Sequence, residues 1–417
     1  MPPHPWQVRP ISTDELDAFL DVPEQAFGSP ADPAERRIDQ ESLELSRCLA
    51  CVEADPSGRP SAGEAIVGTA TAFTFTLSVP AAVLPAAGVT LVAVTPTHRR
   101  RGILTALMRR QLADVGSRGE PLAVLFASEA AVYGRYGYGA ACAAMALTVQ
   151  RPTARLRTPA GNARLRAASA ADAQPELARV YARVCPSRPG FFARDGVGWR
   201  MRLFDPPGGR AGASPLRVVL HTGPDGATDG YALYRTKAAF TESQPDGEVT
   251  VVEVLGADAT AAEALWHYLL GLDLMARTSA VVAPDDPLLG LLVDPYAARP
   301  RLTDNLWVRL VDLPAALSGR RYAAPVDVTL DVSDSLLPAN AGRWHLRGGP
   351  DGASCVRSGD PPDLALDTEA LAAAYLGGSP LMALAGAGQV RENAAGSLAT
   401  ASTAFGWPRQ PFCPQLF

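Results

Sequence analysis

A chain of 417 residues, 47% hydrophobic and 19% charged, holds apolar material for more than one core and roughly two to four domains. No apolar run approaches the roughly 18 residues of a membrane helix, and the opening "MPPHPWQVRPISTDELDAF" lacks the apolar centre of a secretory signal. The net charge of −5 argues against nucleic-acid binding as a whole-protein property and mildly favours cationic partners.

The first chemically suggestive pair is Cys48-Leu-Ala-Cys51, in the apolar segment "RCLACVEAD". That segment reads as a strand, which sends positions i and i+3 to opposite faces, and no second cysteine or histidine pair lies near it. Packing cysteines of a reduced, cytoplasmic protein are therefore expected, with no metal. The stretch "VEADPSGRPSAGEAIVGTATAF" that follows has the turn residues of a hairpin.

Next comes "GVTLVAVTPTHRRRGILTALMRRQL", Gly88 to Leu112. An apolar strand ending at Val94 delivers a loop of three adjacent arginines and Gly102 to the start of a helix, whose apolar stripe is Leu104, Leu107, Met108 and Leu112. Amide N–H groups at a helix start, with the positive end of the backbone dipole, form an anion site. Gly102 lets a ligand approach the backbone, and the arginines add planar donors suited to phosphate oxygens. A merely solvated cluster of like charges at this end of a helix would cost stability without an anion to offset it. The diphosphate of a cofactor is the expected guest. Downstream, "ASEAAVYGRYGYGAA" sets three tyrosines among glycines, a pattern that on its own serves tight packing as readily as chemistry.

At a constant offset of 160 residues the strand and helix recur as "EVTVVEVLGADATAAEALWHYLLGL", Glu248 to Leu272, after another hairpin-like stretch, "LHTGPDGATDGYALYR". The cores VTLVAV and VTVVEV share four of six residues, which reads as one αβ unit duplicated. At the loop, Ala259 to Ala262 replace the arginines and the glycine. The first copy thus carries something the fold does not require. Glu253 reads as a strand residue in place of Ala93, and Asp285-Asp286 as a solvated turn before Pro287.

A third segment offers "NLWVRLVDLPAALSGRRYA", "DVTLDVSD" and "GRWHLRG" as strands, and "LDTEALAAAYLGG" as a helix closed by glycine. The tail "FGWPRQPFCPQLF" is apolar and aromatic where termini ordinarily stay polar, so docking in a groove is expected.

The strand followed by Pro96-Thr-His-Arg-Arg-Arg-Gly102, then "ASE…YGRYGYG", resembles the enhanced intracellular survival (Eis) family of acetyltransferases, across the whole chain. Leu104 departs from the small residue usual in this cofactor loop. The resemblance implies an α/β architecture with mixed sheets: tandem GNAT-like domains plus a C-terminal sterol-carrier-protein-like domain. The implied boundaries are 1–150 for a catalytic domain, 151–300 for a degenerate second one, and 301–417 for the third, whose tail enters the active site. It also implies acetyl-CoA as cofactor. Val92 and Val94 would offer strand backbone to the pantetheine arm, and Arg99, Arg100, Gly102 and Ile103 would hold the diphosphate. Ser128 and Val132 would line the thiol end, Tyr133 would protonate the departing thiolate, and Phe417 would present its terminal carboxylate as base. A homo-oligomer, specifically a hexamer built as a dimer of trimers, follows from the same resemblance.

The expected reaction is direct acetylation of a primary amine, with aminoglycoside-type polyamines as first choice. No cysteine in the motif is available for an acyl-enzyme. Asp32, Glu35 and Asp39 are candidate substrate contacts. In the family, members acting on aminoglycosides carry an acidic residue before the terminal phenylalanine, where this chain has Leu416. The alternatives are another amine, such as a lysine side chain or a natural-product intermediate, or a non-catalytic binding or effector protein.

Overall fold

The computed structural model describes residues 6–28, 32–53 and 65–417. The loop of the first hairpin expected from the sequence, residues 54–64, lies outside them.

Two seven-stranded sheets and one five-stranded sheet form the frame. The first sheet runs Trp6–Pro10, Leu49–Glu53, Ala65–Val79, Ala82–Val94, Leu122–Phe126, Leu306–Leu310 and Gly139–Ala140 in spatial order. Its one parallel neighbour pair joins Ala82–Val94 to Leu122–Phe126 across the helix Ile103–Ser117. That helix buries Ile103, Leu107, Met108, Leu112 and Val115 against the sheet. Leu104, expected on the buried stripe, is instead half-exposed and lines a cleft, and Ile103 fills the core position.

The second sheet repeats the plan. Gly247–Gly256 pairs in parallel with Met275–Val282 across the helix Ala259–Gly271, and antiparallel with Thr228–Lys237. The duplication extends to an irregularity: each copy bulges at the same offset, opposite Ala70 at Leu91–Val92 and between Leu233 and Tyr234 at Val252.

Sheet membership does not follow the chain in blocks. Ala143–Gln150, grouped with the first domain by the sequence reading, pairs in the second sheet with Met275–Val282 and with Arg301–Asp304. Leu306–Leu310, grouped with the third, pairs in the first sheet with Leu122–Phe126. The two sheets therefore exchange strands at their junctions. Leu313–Gly319, read within a strand segment, is a helix whose N-terminus Asp312 caps by accepting from the Ala315 N–H.

The third sheet orders Ala353–Arg357, Gly342–Gly348, Val326–Ser333, Leu364–Asp367 and Val390–Glu392. Its core is continuous with the first sheet: Leu77, Leu122 and Leu306 belong to the same buried cluster as Leu330, Leu371 and Phe405. Gly139 shows how close the approach is, since a Cβ there would stand 2.2 Å from the Glu369 carbonyl oxygen on the helix Thr368–Ala374.

Candidate active site

The strand Ala82–Val94 touches its parallel neighbour only from Ala86 to Gly88, opposite Leu122 to Val124. Beyond Gly88 it departs. The bulge drives the departure, because Leu91 takes a left-handed φ of 49° and its carbonyl is held by the Thr69 hydroxyl at 2.8 Å. What opens between the strands is a cleft of about 690 Å3.

Val92, Val94, Arg99, Arg100, Gly102, Ile103, Ser128, Val132 and Tyr133 all line this cleft. Phe417 does not line it and lies instead at its fork. The sequence reading missed Ala26, Phe27, His98, Glu129 and Arg135, which also line it. His98 sits in the loop itself, whereas Ala26, Phe27, Glu129 and Arg135 lie outside the strand–loop–helix motif and only folding brings them to the wall.

At the loop, Gly102 is the N-cap of the helix Ile103–Ser117 with φ 86°. Nothing lies within 4 Å of where its Cβ would be, so glycine is needed for conformation rather than room. No side chain caps this helix, and its first amides stay open toward the cleft. The matching helix in the second copy differs at this point, since the Asp258 carboxylate accepts from the Ala261 N–H. One copy keeps an anion site vacant of side chains and the other closes it with its own carboxylate.

The three arginines divide their work. Arg101 approaches Glu53 at 4.0 Å, and His98 Nε2 meets the same carboxylate at 2.7 Å, fastening the loop to the neighbouring strand. Arg99 donates to the carbonyls of Val94 and Ala26 at 3.4 and 3.5 Å. Arg100 is exposed at a left-handed φ of 62° and has no carboxylate partner among the described residues. Arg99 and Arg100 thus carry guanidiniums without a carboxylate partner among the described residues.

Tyr133 ends the short helix Ala130–Tyr133, buried, with its ring edge-on to Tyr138 at 6.0 Å. Burial, then Tyr136 and Glu129, push its phenol up to about 12, so it stays protonated at neutral pH. Of its neighbours, Tyr136 also lines the cleft and shares a hydrogen bond of 3.1 Å with the Thr105 hydroxyl, while Tyr138 is fully buried.

The tail is docked. The Phe412 N–H donates to the Pro189 carbonyl at 3.0 Å, and Asn305 exchanges two hydrogen bonds with the Cys413 backbone. The Phe417 ring stands edge-on to Phe75, Phe126 and Phe192 at 4.8, 5.3 and 5.7 Å. Its terminal oxygen accepts from the Thr90 hydroxyl at 3.0 Å. Thr90 lies two residues beyond the last parallel pair, so the Phe417 main-chain oxygen sits where the cleft forks. The sequence reading named Phe417 but missed Thr90 and the three rings.

Asp32, Glu35 and Asp39 do not line the cleft. Asp32 caps the helix Pro33–Ser42, and a Cβ on Gly208 of the second domain would meet its carboxylate at 2.8 Å. Burial, with Glu35 and Glu24 nearby, pushes the Asp39 carboxyl up to about 6. Asp285-Asp286 is no solvated turn. Asp285 accepts from Arg188 at 2.6 Å and from the Gln410 N–H at 3.0 Å, and Asp286 accepts from Trp266 Nε1 at 3.1 Å. All six cysteines are free and buried. Among the described residues no cluster of three metal-binding side chains occurs, and no helix is long and apolar enough to cross a membrane.

Known proteins carry the same plan. Models of the acetyltransferase (GNAT) domain match residues 7–141 and 190–310, and a sterol carrier protein domain model matches 313–414. An uncharacterized N-acetyltransferase of Streptomyces coelicolor is 44% identical over 98% of this chain and 99% of its own. N-acetyltransferase Eis of Mycobacterium tuberculosis is 35% identical over 79% of this chain and 80% of its own.

The chain belongs to the Eis family of GNAT N-acetyltransferases.

The crystal structure of Eis1 from Mycobacterium abscessus, 34% identical, superposes with a TM-score of 0.83 over 99% of this chain and 100% of that one. As an Eis-family enzyme the chain is an acyltransferase that uses acetyl-CoA. The cleft suits that cofactor on its own evidence: open helix amides, two guanidiniums without carboxylates and an apolar wall at Val92, Val94 and Val132.

Proposed function

We propose that the enzyme acetylates a primary amine by direct transfer, with the terminal carboxylate of Phe417 as base and Tyr133 as acid. The observation that carries this reading is the bond from Thr90 to the chain terminus at the fork of the cleft. Val92 and Val94 would hold the pantetheine arm by their backbone groups. Arg99, Arg100 and the amides of Gly102 and Ile103 would hold the diphosphate, and Ser128 and Val132 would flank the thiol end. Acetyl-CoA, when bound, supplies an acetyl thioester and leaves as a thiol.

The chain's own groups do the proton work. An aliphatic ammonium has a pKa near ~10, so a base must free the amine. The terminal carboxylate attracts the ammonium and accepts its proton while Thr90 fixes its position. The Tyr133 phenol, protonated at neutral pH, carries the proton for the departing sulfur. Backbone N–H groups along Val92 to Val94 supply polarising donors. Six buried cysteines leave no thiol poised for an acyl-enzyme.

Aminoglycoside-type polyamines are the first substrate class, since a carboxylate-bearing site favours a polycation. A second reading, acetylation of a lysine side chain or a natural-product intermediate, is favoured by one observation. Leu416 is neutral and 71% exposed, and the base is walled by aromatic rings rather than acids. A cytoplasmic homo-oligomer, a hexamer as a dimer of trimers, belongs to the same proposal. The exposed edge strand Arg301–Asp304, with Leu302 at 68% exposure, is consistent with a covered face.

Thiol release from acetyl-CoA across aminoglycosides, linear polyamines, lysine peptides and simple amines tests the reading. Amine-dependent release is expected. Binding of acetyl-CoA without release by any amine would sink it.

A further inference from the structure

The second sheet keeps a cleft of its own. Gly247–Gly256 parts from Met275–Val282 after Val251 and Ala280, three residues later in the repeat than the fork at Gly88. The result is a smaller cavity of about 250 Å3, below the roughly 300–1,000 Å3 of pockets for drug-sized ligands. Asp258 closes the helix start, which removes a diphosphate from consideration. Val254, Val282, Trp266 and Phe412 give apolar walls, and the tail from Arg409 to Pro414 forms one side.

The charges on these walls are not balanced alike. Glu253 is enclosed by Arg194 at 2.6 Å and Arg202 at 3.1 Å. Asp258 caps its helix, and Asp286 accepts from Trp266 Nε1 and the Leu288 N–H at 3.1 and 2.9 Å. Arg188 is matched by Asp285 at 2.6 Å. Arg409 alone of the lining arginines has no ion-pair partner among the described residues; it donates to the Ser187 hydroxyl at 2.6 Å. Burial and the neighbouring Arg188 lower its pKa, against a smaller opposing pull from Asp285, whose carboxylate is engaged by Arg188.

We infer that this second cleft binds a small organic carboxylate with an apolar body, the carboxylate on Arg409 and the body between Trp266, Val254 and Phe412. Such a ligand would brace the tail three residues before the last: Pro414 borders the cavity and Phe417 ends the chain.

Phenylacetate and its neutral isostere phenylacetamide distinguish the charge claim from simple apolar filling. Calorimetry and tryptophan fluorescence on the full chain should give saturable binding, with the carboxylate preferred by about ten-fold. In Arg409→Gln that preference should vanish, and Ala262→Leu, which fills the cavity, should abolish both signals. Acetyl-CoA affinity should stay unchanged in both variants. Absence of saturable binding, equal binding of the amide, or a preference that survives Arg409→Gln would each overturn the inference. These readouts need no acetyl transfer, so binding without turnover would count against the proposed function and not against this site.

Discussion

The Thr90 hydroxyl holds the terminal oxygen of Phe417 at 3.0 Å, across 327 residues of sequence. One side of that bond is the strand that walls the cofactor cleft, and the other is the main-chain oxygen of Phe417. The aromatic contacts fix the ring of Phe417, and the hydroxyl fixes its charge. With the proposed base role, removing Phe417 should lower kcat by roughly 10²–10⁴-fold, the usual span for a general base. A C-terminal carboxamide made by ligation keeps the ring and should lose nearly as much. Thr90→Val should cost less, roughly three- to ten-fold in kcat/KM, about 1 kcal/mol for one lost hydrogen bond. Full activity of the carboxamide enzyme would show that the ring, and not the charge, matters.

Tyr133 gives a pH signature. Its phenol is pushed up to about 12, so the group proposed as acid stays protonated throughout the range in which an amine is freed. The rate should therefore climb as pH rises through neutrality and show no alkaline fall assignable to this group below about 11. Tyr133→Phe should reduce kcat roughly 10²-fold or more while leaving acetyl-CoA binding intact. A descending limb near pH 9 that disappears in Tyr133→Phe would contradict the raised value.

Much of this site can be read in the chain because its parts are local. The strand, the arginines and Gly102 fall within one short run, and a helix start announces itself by its own residues. The Tyr-Gly segment is equally visible, yet its packing role is not, since Gly139 meets Glu369 only when the third domain closes on the first. Phe75, Phe126 and Phe192 look like ordinary core residues until the tail arrives among them. Asp285 reads as a turn because Pro287 follows, while its partners Arg188 and Gln410 lie 97 and 125 residues away. Strand exchange between sheets fails for the same reason. The pairing of Leu306–Leu310 with Leu122–Phe126 is a nonlocal choice that local pattern does not encode.

The arginine loop should respond unevenly. Arg100→Ala removes a guanidinium with no carboxylate partner among the described residues and should raise the Kd for acetyl-CoA by roughly ten- to a hundred-fold. Arg101→Ala should change it far less, because that side chain leans toward Glu53 at 4.0 Å. Gly102→Ala meets no steric barrier but forces a left-handed residue, costing about 1–2 kcal/mol, and should weaken binding without altering the fold. Titration of the three variants with acetyl-CoA at fixed ionic strength checks the order. Equal losses at Arg100 and Arg101 would show that the loop acts through total charge.

Glu253 stands where the first copy has Ala93, and it fills the second domain with charge. Arg194 grips it with two bonds of 2.9 and 2.6 Å and stacks over Tyr181 at 3.9 Å. These guanidiniums hold the carboxyl down at about 2, against an ordinary 4.5, despite burial that pushes the other way. A lowered folded-state value stabilises above the unfolded pKa, and that stability is lost as pH falls toward the folded one. Glu253→Gln leaves buried arginines uncompensated and should cost about 3–5 kcal/mol at neutral pH. The gap between wild type and variant should narrow steadily from about pH 5 to pH 2, as the unfolded chain's carboxylate takes up a proton that the folded carboxylate does not. Denaturation midpoints followed across that range measure the narrowing. A gap that held constant down to pH 2 would assign the loss to packing instead of charge.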